Sequence, residues 1–208
     1  MDKLKVYEKL KTIITSPVCE LEYEDNFQLL IAVILSAQCT DKRVNIITKE
    51  LFRKYPTAAK LSMADIEDVK KIIKPCGFFN NKSVSIISAS KDLVEKFDGV
   101  VPSSYDDLMS LRGVGRKTAN VVRAVGFKIP SIAVDTHVFR VSNRLNLAKS
   151  SNPNECEIKL MKSFDKKHWI DLHHVLLLYG RYVCTSQKPK CETCIVKDEC
   201  KFYKERRK

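Results

Sequence analysis

Apolar residues recur every three or four positions along almost the whole of this chain, and no stretch shows the one-by-one alternation of a half-buried strand. That spacing confines the fold to helices. Leu4, Tyr7, Leu10 and Ile14 share one helical face, and Val44, Ile47 and Leu51 share another behind a start at Thr40 and Asp41. Asp25 with Gln28 can form a capping box ahead of the apolar run 27–37. Ser62 with Asp65 predicts a further start, with Ile66, Val69 and Ile73 inward and Pro75 and Gly77 as the stop. The pattern then predicts helices over 82–97, from Ser103 and Asp106 through Leu111, and over 116–126, 136–147 and 153–164. Asn152, Pro153 and Glu155 suit the N-cap, N1 and N3 positions of the last of these. Trp169, Leu172, Leu176 and Tyr179 mark a final long helix ending near Gly180, and the terminal KERRK reads as a solvated tail. The expected fold is all-α, with about ten short helices in one domain or two small lobes.

The longest apolar run, FQLLIAVILSA at 27–37, falls short of the roughly 20 residues that cross a bilayer, so no membrane association is expected. The N-terminal MDKLKVYEKLKTII mixes charged with apolar residues and lacks the continuous apolar core of a signal peptide. The expected location is the cytoplasm. A net charge of +12 favours a polyanionic partner, nucleic acid first among them. A merely soluble basic surface is the alternative.

In LRGVGRKTANVV, residues 111–122, two glycines flank Val114 and are followed at once by Arg116 and Lys117. A helix, the tight turn Arg112-Gly113-Val114-Gly115 and a second helix make a helix–hairpin–helix. Without Cβ atoms the glycines permit the turn and let backbone N–H groups approach a phosphate. The second helix aims its positive end at the same place. Such a hairpin grips a DNA backbone without reading sequence. A P-loop needs glycine before the lysine, where Arg116 stands, and a dinucleotide fingerprint needs a third glycine at Thr118. An ordinary helix connection is the competing reading. Unpaired helix N–H groups and a cationic neighbour disfavour the charged form of a lysine, and a neutral lysine can attack a sugar carbon to form a Schiff base. The plainer role for Lys117 is a phosphate contact.

Asp135, in IAVDTHVFR at 132–140, can cap the helix beginning at Thr136. An acid placed near the lysine would also suit proton transfer and the charge that develops on a deoxyribose. His137 follows closely and lies on the same helix.

Cys184, Cys191, Cys194 and Cys200 form a C-x6-C-x2-C-x5-C cluster. Four thiolates in one loop can bind a tetrahedral zinc or a [4Fe–4S] cluster, and spacing leaves both open. Lys188 and Lys190 lie between the first two cysteines and can contact phosphates. Cys19, Cys39, Cys76 and Cys156 are scattered and read as small buried or partly buried residues.

Taken together, LLIAVILSAQCTD (29–41), LRGVGRKTANVV, IAVDTHVFRVSNR (132–144), HHVLLLYGRYVC (173–184) and the cysteine loop resemble the endonuclease III family of helix–hairpin–helix DNA glycosylases. The resemblance implies two helical lobes with a DNA cleft between them. One is a six-helix barrel over 19–129 that carries the hairpin at about 105–126. The other joins 1–18 to 130–208 and holds a [4Fe–4S] cluster on the four cysteines. It implies a monomer that removes oxidised or ring-damaged pyrimidines from double-stranded DNA. Lys117 would be the nucleophile, Asp135 the assisting acid, and β-elimination would cut 3′ to the abasic site. Gln38 and Phe78 would fill the gap left by the flipped nucleotide, while Arg112, Gly113, Val114, Gly115, Arg116, Lys188 and Lys190 would contact the DNA. Three residues depart from the family pattern: Arg112 stands where it usually has Pro, Cys39 for Ala, and Phe78 for Leu. An adenine-mismatch glycosylase would usually have Ser at Lys117. A non-catalytic DNA-binding module would need neither Lys117 nor Asp135.

Overall fold

A computed structural model describes residues 2–206. The described residues form twelve α-helices and no strand. They are α1 (Lys3–Ile13), α2 (Asn26–Leu35), α3 (Asp41–Lys54), α4 (Ala58–Ser62), α5 (Ile66–Ile73) and α6 (Phe79–Phe97). There follow α7 (Tyr105–Ser110), α8 (Arg116–Val125), α9 (Thr136–Arg144), α10 (Pro153–Ser163), α11 (Trp169–Tyr182) and α12 (Lys201–Arg206). A turn of 3₁₀-helix, Lys166–His168, leads into α11.

The chain divides into two compact units, Glu20–Ile129 and the pair of segments Met1–Cys19 and Pro130–Lys208. The first holds α2 to α8. Its centre is α2, apolar on every side and buried from Phe27 to Leu35. Around it α3, α6 and α8 each turn one apolar stripe inward. In the second unit α1 and α9 pack on α11, and Tyr7, Leu10, Val138, Val141, Leu176 and Tyr179 fill the core between them.

Caps account for most helix starts. Asp25 takes the Gln28 N–H at 2.8 Å, while the Gln28 carboxamide accepts from Glu24, one residue earlier than a strict capping box. Asn152 caps α10 as expected. Three starts differ from the expected ones. Ser62 ends α4, and Asp65 alone caps α5 through the Asp68 N–H. Ser104, not Ser103, caps α7: its hydroxyl accepts the Asp107 N–H and donates to the Asp107 carboxylate. Helix α6 begins at Phe79, ahead of the expected 82. Lys204, Glu205 and Arg206 of the terminal KERRK are exposed as anticipated, yet helical, anchored by buried Tyr203; the last two residues lie outside the described ones.

Candidate functional site

The hairpin is assembled in the first unit. Helix α7 ends at Ser110, the turn follows, and α8 begins at Arg116. The Val114 N–H donates to the Leu111 carbonyl at 3.1 Å, and Gly113 sits at φ +82. A left-handed residue in the third place is what a type II turn requires, and glycine adopts it without strain. A Cβ on Gly113 would also lie 2.7 Å from Ser85 Cβ on α6, so the turn packs too closely for any side chain there. Val114 is buried, and its N–H is taken up by the Leu111 carbonyl inside the turn.

A second fastening ties the turn to α6. Asp92 is 1% exposed, and its Oδ2 accepts the Arg112 backbone N–H at 2.8 Å. Lys96 pairs with it at 3.0 Å and the Arg112 guanidinium at 3.4 Å. Burial alone would raise the Asp92 pKa; the Arg112 N–H, Lys96 and the Arg112 guanidinium outweigh it and hold the carboxyl below its ordinary range. Arg112 therefore braces the turn. Sequence reasoning missed Asp92, although a signal existed: a carboxylate three residues after Ala89 on the buried stripe of α6.

Gly115 is the N-cap of α8. It has ordinary extended backbone, and a Cβ there would meet nothing within 4 Å. No side chain caps α8, unlike α2, α3, α5, α7, α9 and α10. A glycine in that position has no side chain with which to cap the helix. Arg116 lies over the Tyr105 ring at 5.9 Å, and Lys117 is exposed in the first turn.

Gln38 and Phe78 occupy two neighbouring loops of the same unit. Both are exposed, Phe78 at 64%, and both hold left-handed backbone, φ +53 and φ +58. Such backbone costs a non-glycine residue free energy and clusters where function requires it. A core role for Phe78 is excluded by its exposure.

In the second unit Asp135 follows the buried run Ile132–Val134 and caps α9, its Oδ1 accepting the Val138 N–H at 2.7 Å. Helix α9 then reaches toward the cysteine loop. Arg140 donates to the Gly180 carbonyl at 2.7 Å and the Cys184 carbonyl at 3.1 Å, and lies 3.1 Å from His137 Nδ1. Arg144 donates to the Thr185 carbonyl at 2.6 Å, the Ser186 carbonyl at 3.1 Å and Cys184 Sγ at 3.5 Å, and stacks over Phe202 at 4.3 Å. Neither arginine was singled out in the sequence; both lie one helical turn apart on α9, behind the motif carrying Asp135. His173 and His174 are buried in α11.

The four clustered cysteines line one pocket together with Leu145, Tyr179 and Phe202. The Tyr179 hydroxyl lies 3.1 Å from Cys194 Sγ. Among the described residues no three His, Cys, Asp or Glu side chains are arranged to hold a single metal ion. The donor set nevertheless suits an iron–sulfur cluster: four thiols, an apolar lining and a guanidinium against one sulfur. Burial raises the Cys184 thiol, and Arg144 opposes that shift. Lys188 and Lys190 are exposed on the loop, Lys188 in left-handed backbone at φ +48. No described helix is long and apolar enough to cross a membrane.

A fastened glycine hairpin and a basic four-cysteine loop on an all-helical frame define a helix–hairpin–helix DNA-repair enzyme. Residues 31–166 match the family of HhH-GPD superfamily base excision DNA repair proteins, and residues 184–200 match the iron–sulfur binding domain of endonuclease III. The chain is 45% identical to endonuclease III of Rickettsia conorii over 96% of its own length and 95% of the relative's. It is 43% identical to endonuclease III of Escherichia coli K12, covering 98% and 96% respectively. Its fold superposes on a trapped endonuclease III–DNA covalent intermediate with a TM-score of 0.96 at 40% identity, covering both chains in full. The chain belongs to the endonuclease III family of the helix–hairpin–helix superfamily. It is a DNA glycosylase with abasic-site lyase activity, and its cofactor is a [4Fe–4S] cluster.

Proposed function

We propose that the enzyme removes oxidised or ring-damaged pyrimidines from double-stranded DNA and cuts the strand 3′ to the resulting abasic site, acting as a monomer. One observation carries this reading: α8 starts without a side-chain cap, at a glycine whose missing Cβ faces open space, with Lys117 exposed in its first turn. Nothing inside the protein requires glycine at 115. A phosphate approaching the start of the helix favours it. Gly113 and Gly115 supply backbone donors, the Val114 N–H being held by the Leu111 carbonyl, with Arg116 and Arg112 adding charge beside them. Lys188 and Lys190 hold the backbone elsewhere along the duplex.

Lys117 then attacks C1′ of the extruded nucleotide. The C1′–N bond breaks, the base leaves with a proton, and the sugar opens to a Schiff base on Nζ. Loss of a C2′ proton expels the 3′ phosphate, and hydrolysis frees the lysine. Asp135 stabilises the positive charge on the sugar and assists the proton transfers. Its backbone cap fixes the carboxylate's orientation at the start of α9. Gln38 and Phe78, exposed on their left-handed backbone, fill the vacated stack. The relative trapped as a covalent intermediate with DNA supports a covalent route.

Cys184, Cys191, Cys194 and Cys200 hold the [4Fe–4S] cluster, which when bound fixes the loop that presents Lys188 and Lys190. No catalytic step involves it. Arg144 and Arg140 anchor the beginning of that loop to α9.

The reading is tested with a duplex containing one oxidised pyrimidine. Free modified base and a strand ending in a 3′ unsaturated aldehyde are expected. Base release with an intact strand would overturn the lyase step, and release of adenine opposite 8-oxoguanine alone would overturn the substrate class.

A further inference from the structure

Two cysteines outside the cluster meet in the first unit. Cys39 Sγ and Cys76 Sγ lie 3.1 Å apart, although 37 positions separate them in the chain. Cys39 follows Gln38 in the turn after α2, and Cys76 precedes Phe78 by two residues in the turn after α5. The two backbones run close together: a Cβ on Gly77 would lie 3.7 Å from the Gln38 carbonyl. Each cysteine is held by its own N–H, Cys39 to the Ser36 carbonyl at 3.1 Å and Cys76 to the Ile73 carbonyl at 2.8 Å. The sulfurs need to close from there to the ~2.05 Å of a disulfide.

We propose that Cys39 and Cys76 form a redox pair, which a small-molecule disulfide converts to an internal disulfide tying the Gln38 loop to the Phe78 loop. Exposure orders the steps. Cys39 is partly exposed and Cys76 is 1% exposed, so the reagent meets Cys39 first. The Cys39 thiolate attacks the reagent's disulfide, giving a mixed disulfide and releasing one small thiol. The Cys76 thiolate attacks the Cys39 sulfur, closing the internal bond and releasing the second small thiol. Two thiol protons and two electrons leave the protein, and the reagent is reduced to two thiols. Burial, and then the Cys39 contact, push the Cys76 thiol up to about 12, which disfavours it as the first nucleophile. The charges of Lys82 and Arg43 act in the opposite sense and favour its thiolate.

The tether fixes the spacing of the two exposed, left-handed residues that fill the DNA stack. This consequence rests on the roles proposed for Gln38 and Phe78; formation of the bond does not.

The test incubates the iron-containing protein in glutathione buffers from reducing to oxidising, with alkylation, digestion and mass analysis. A peptide joining Cys39 to Cys76, lighter by two hydrogens than its reduced parts, is expected to dominate at the oxidising end. Cys76→Ser is expected to stop at a glutathione adduct on Cys39. Excision from the lesion duplex is expected to fall at least fivefold on oxidation and recover with dithiothreitol, and Cys39→Ser to be insensitive to the oxidant. Two separately alkylated cysteines, or a lasting glutathione adduct in the native chain, would overturn the pair. An internal disulfide with an unchanged rate, or a rate loss shared by Cys39→Ser, would overturn its control of the loops. Failure of the reduced protein to excise anything would instead overturn the proposed function, and the joined peptide would still decide the redox pair.

Discussion

Asp92, buried in the middle of α6, accepts the backbone N–H of Arg112 at the apex of the hairpin. The turn therefore does not rest on glycine alone; a buried carboxylate holds it. Asp92→Ala leaves that N–H without its carboxylate and is expected to cost about 2 kcal/mol, the value of a hydrogen bond to a charged group. Urea melts should show the loss. Amide exchange at Arg112 and Gly113 should quicken, and affinity for duplex DNA should fall with it.

The same carboxylate gives the stability a pH dependence. Its folded pKa lies below the ordinary value, so folding favours its ionised form. That contribution is fully present above the unfolded carboxyl's pKa of about 3.9 and disappears as pH falls through the lower folded value. The stability difference between the native chain and Asp92→Ala should therefore be constant at neutral pH and shrink below about pH 4, as read from urea melts at each pH. A difference independent of pH would show that the charge contributes nothing.

The two glycines of the hairpin should respond differently to a methyl group. Gly113→Ala forces a Cβ to 2.7 Å from Ser85 Cβ at φ +82 and should cost about 2 kcal/mol or more. Ser85→Gly in the same chain should restore the part due to the clash and not the part due to backbone. Gly115→Ala meets no atom and should cost less, at most about 1 kcal/mol, because alanine caps a helix less well than glycine. Its effect should appear in DNA binding. A loss of binding far larger than that small loss of stability would show that glycine at 115 serves the ligand.

Much of this was legible in the sequence because it is local. Helix periods, the Asp25, Asn152 and Asp135 caps, the hairpin glycines and the cysteine spacing each depend on residues a few positions apart. The short α4 was not, since Ala58–Ser62 is too brief to show a period. Asp92, Ser85, Arg140 and Arg144 were missed for another reason. Each acts on a segment far away in the chain: Asp92 on Arg112, Arg144 on residues 184–186. One-residue shifts such as Ser104 for Ser103 arise where two adjacent hydroxyls each have an acid three residues on, so the local sequence offers two equal caps.

Arg144 should govern how well the cysteine loop keeps its cluster. It binds two carbonyls and a sulfur at the loop's beginning, the kind of outer contact whose loss weakens metal binding about tenfold or more. Arg144→Leu keeps the bulk over Phe202 and removes those donors. Iron per chain and visible absorbance should fall, most clearly after incubation with a chelator, while the Glu20–Ile129 unit keeps its amide protection. Full iron retention would assign the loop's order to the cysteines alone.

The central claim is that Lys117 is the nucleophile, and a duplex with a single abasic site tests it most directly. Borohydride reduces a Schiff base to a stable amine, so the native protein should become covalently joined to the DNA. Lys117→Ala should bind the same duplex, retain its iron and give no adduct. An adduct of equal yield in Lys117→Ala, or none from folded, iron-containing native protein that binds the DNA, would contradict the account.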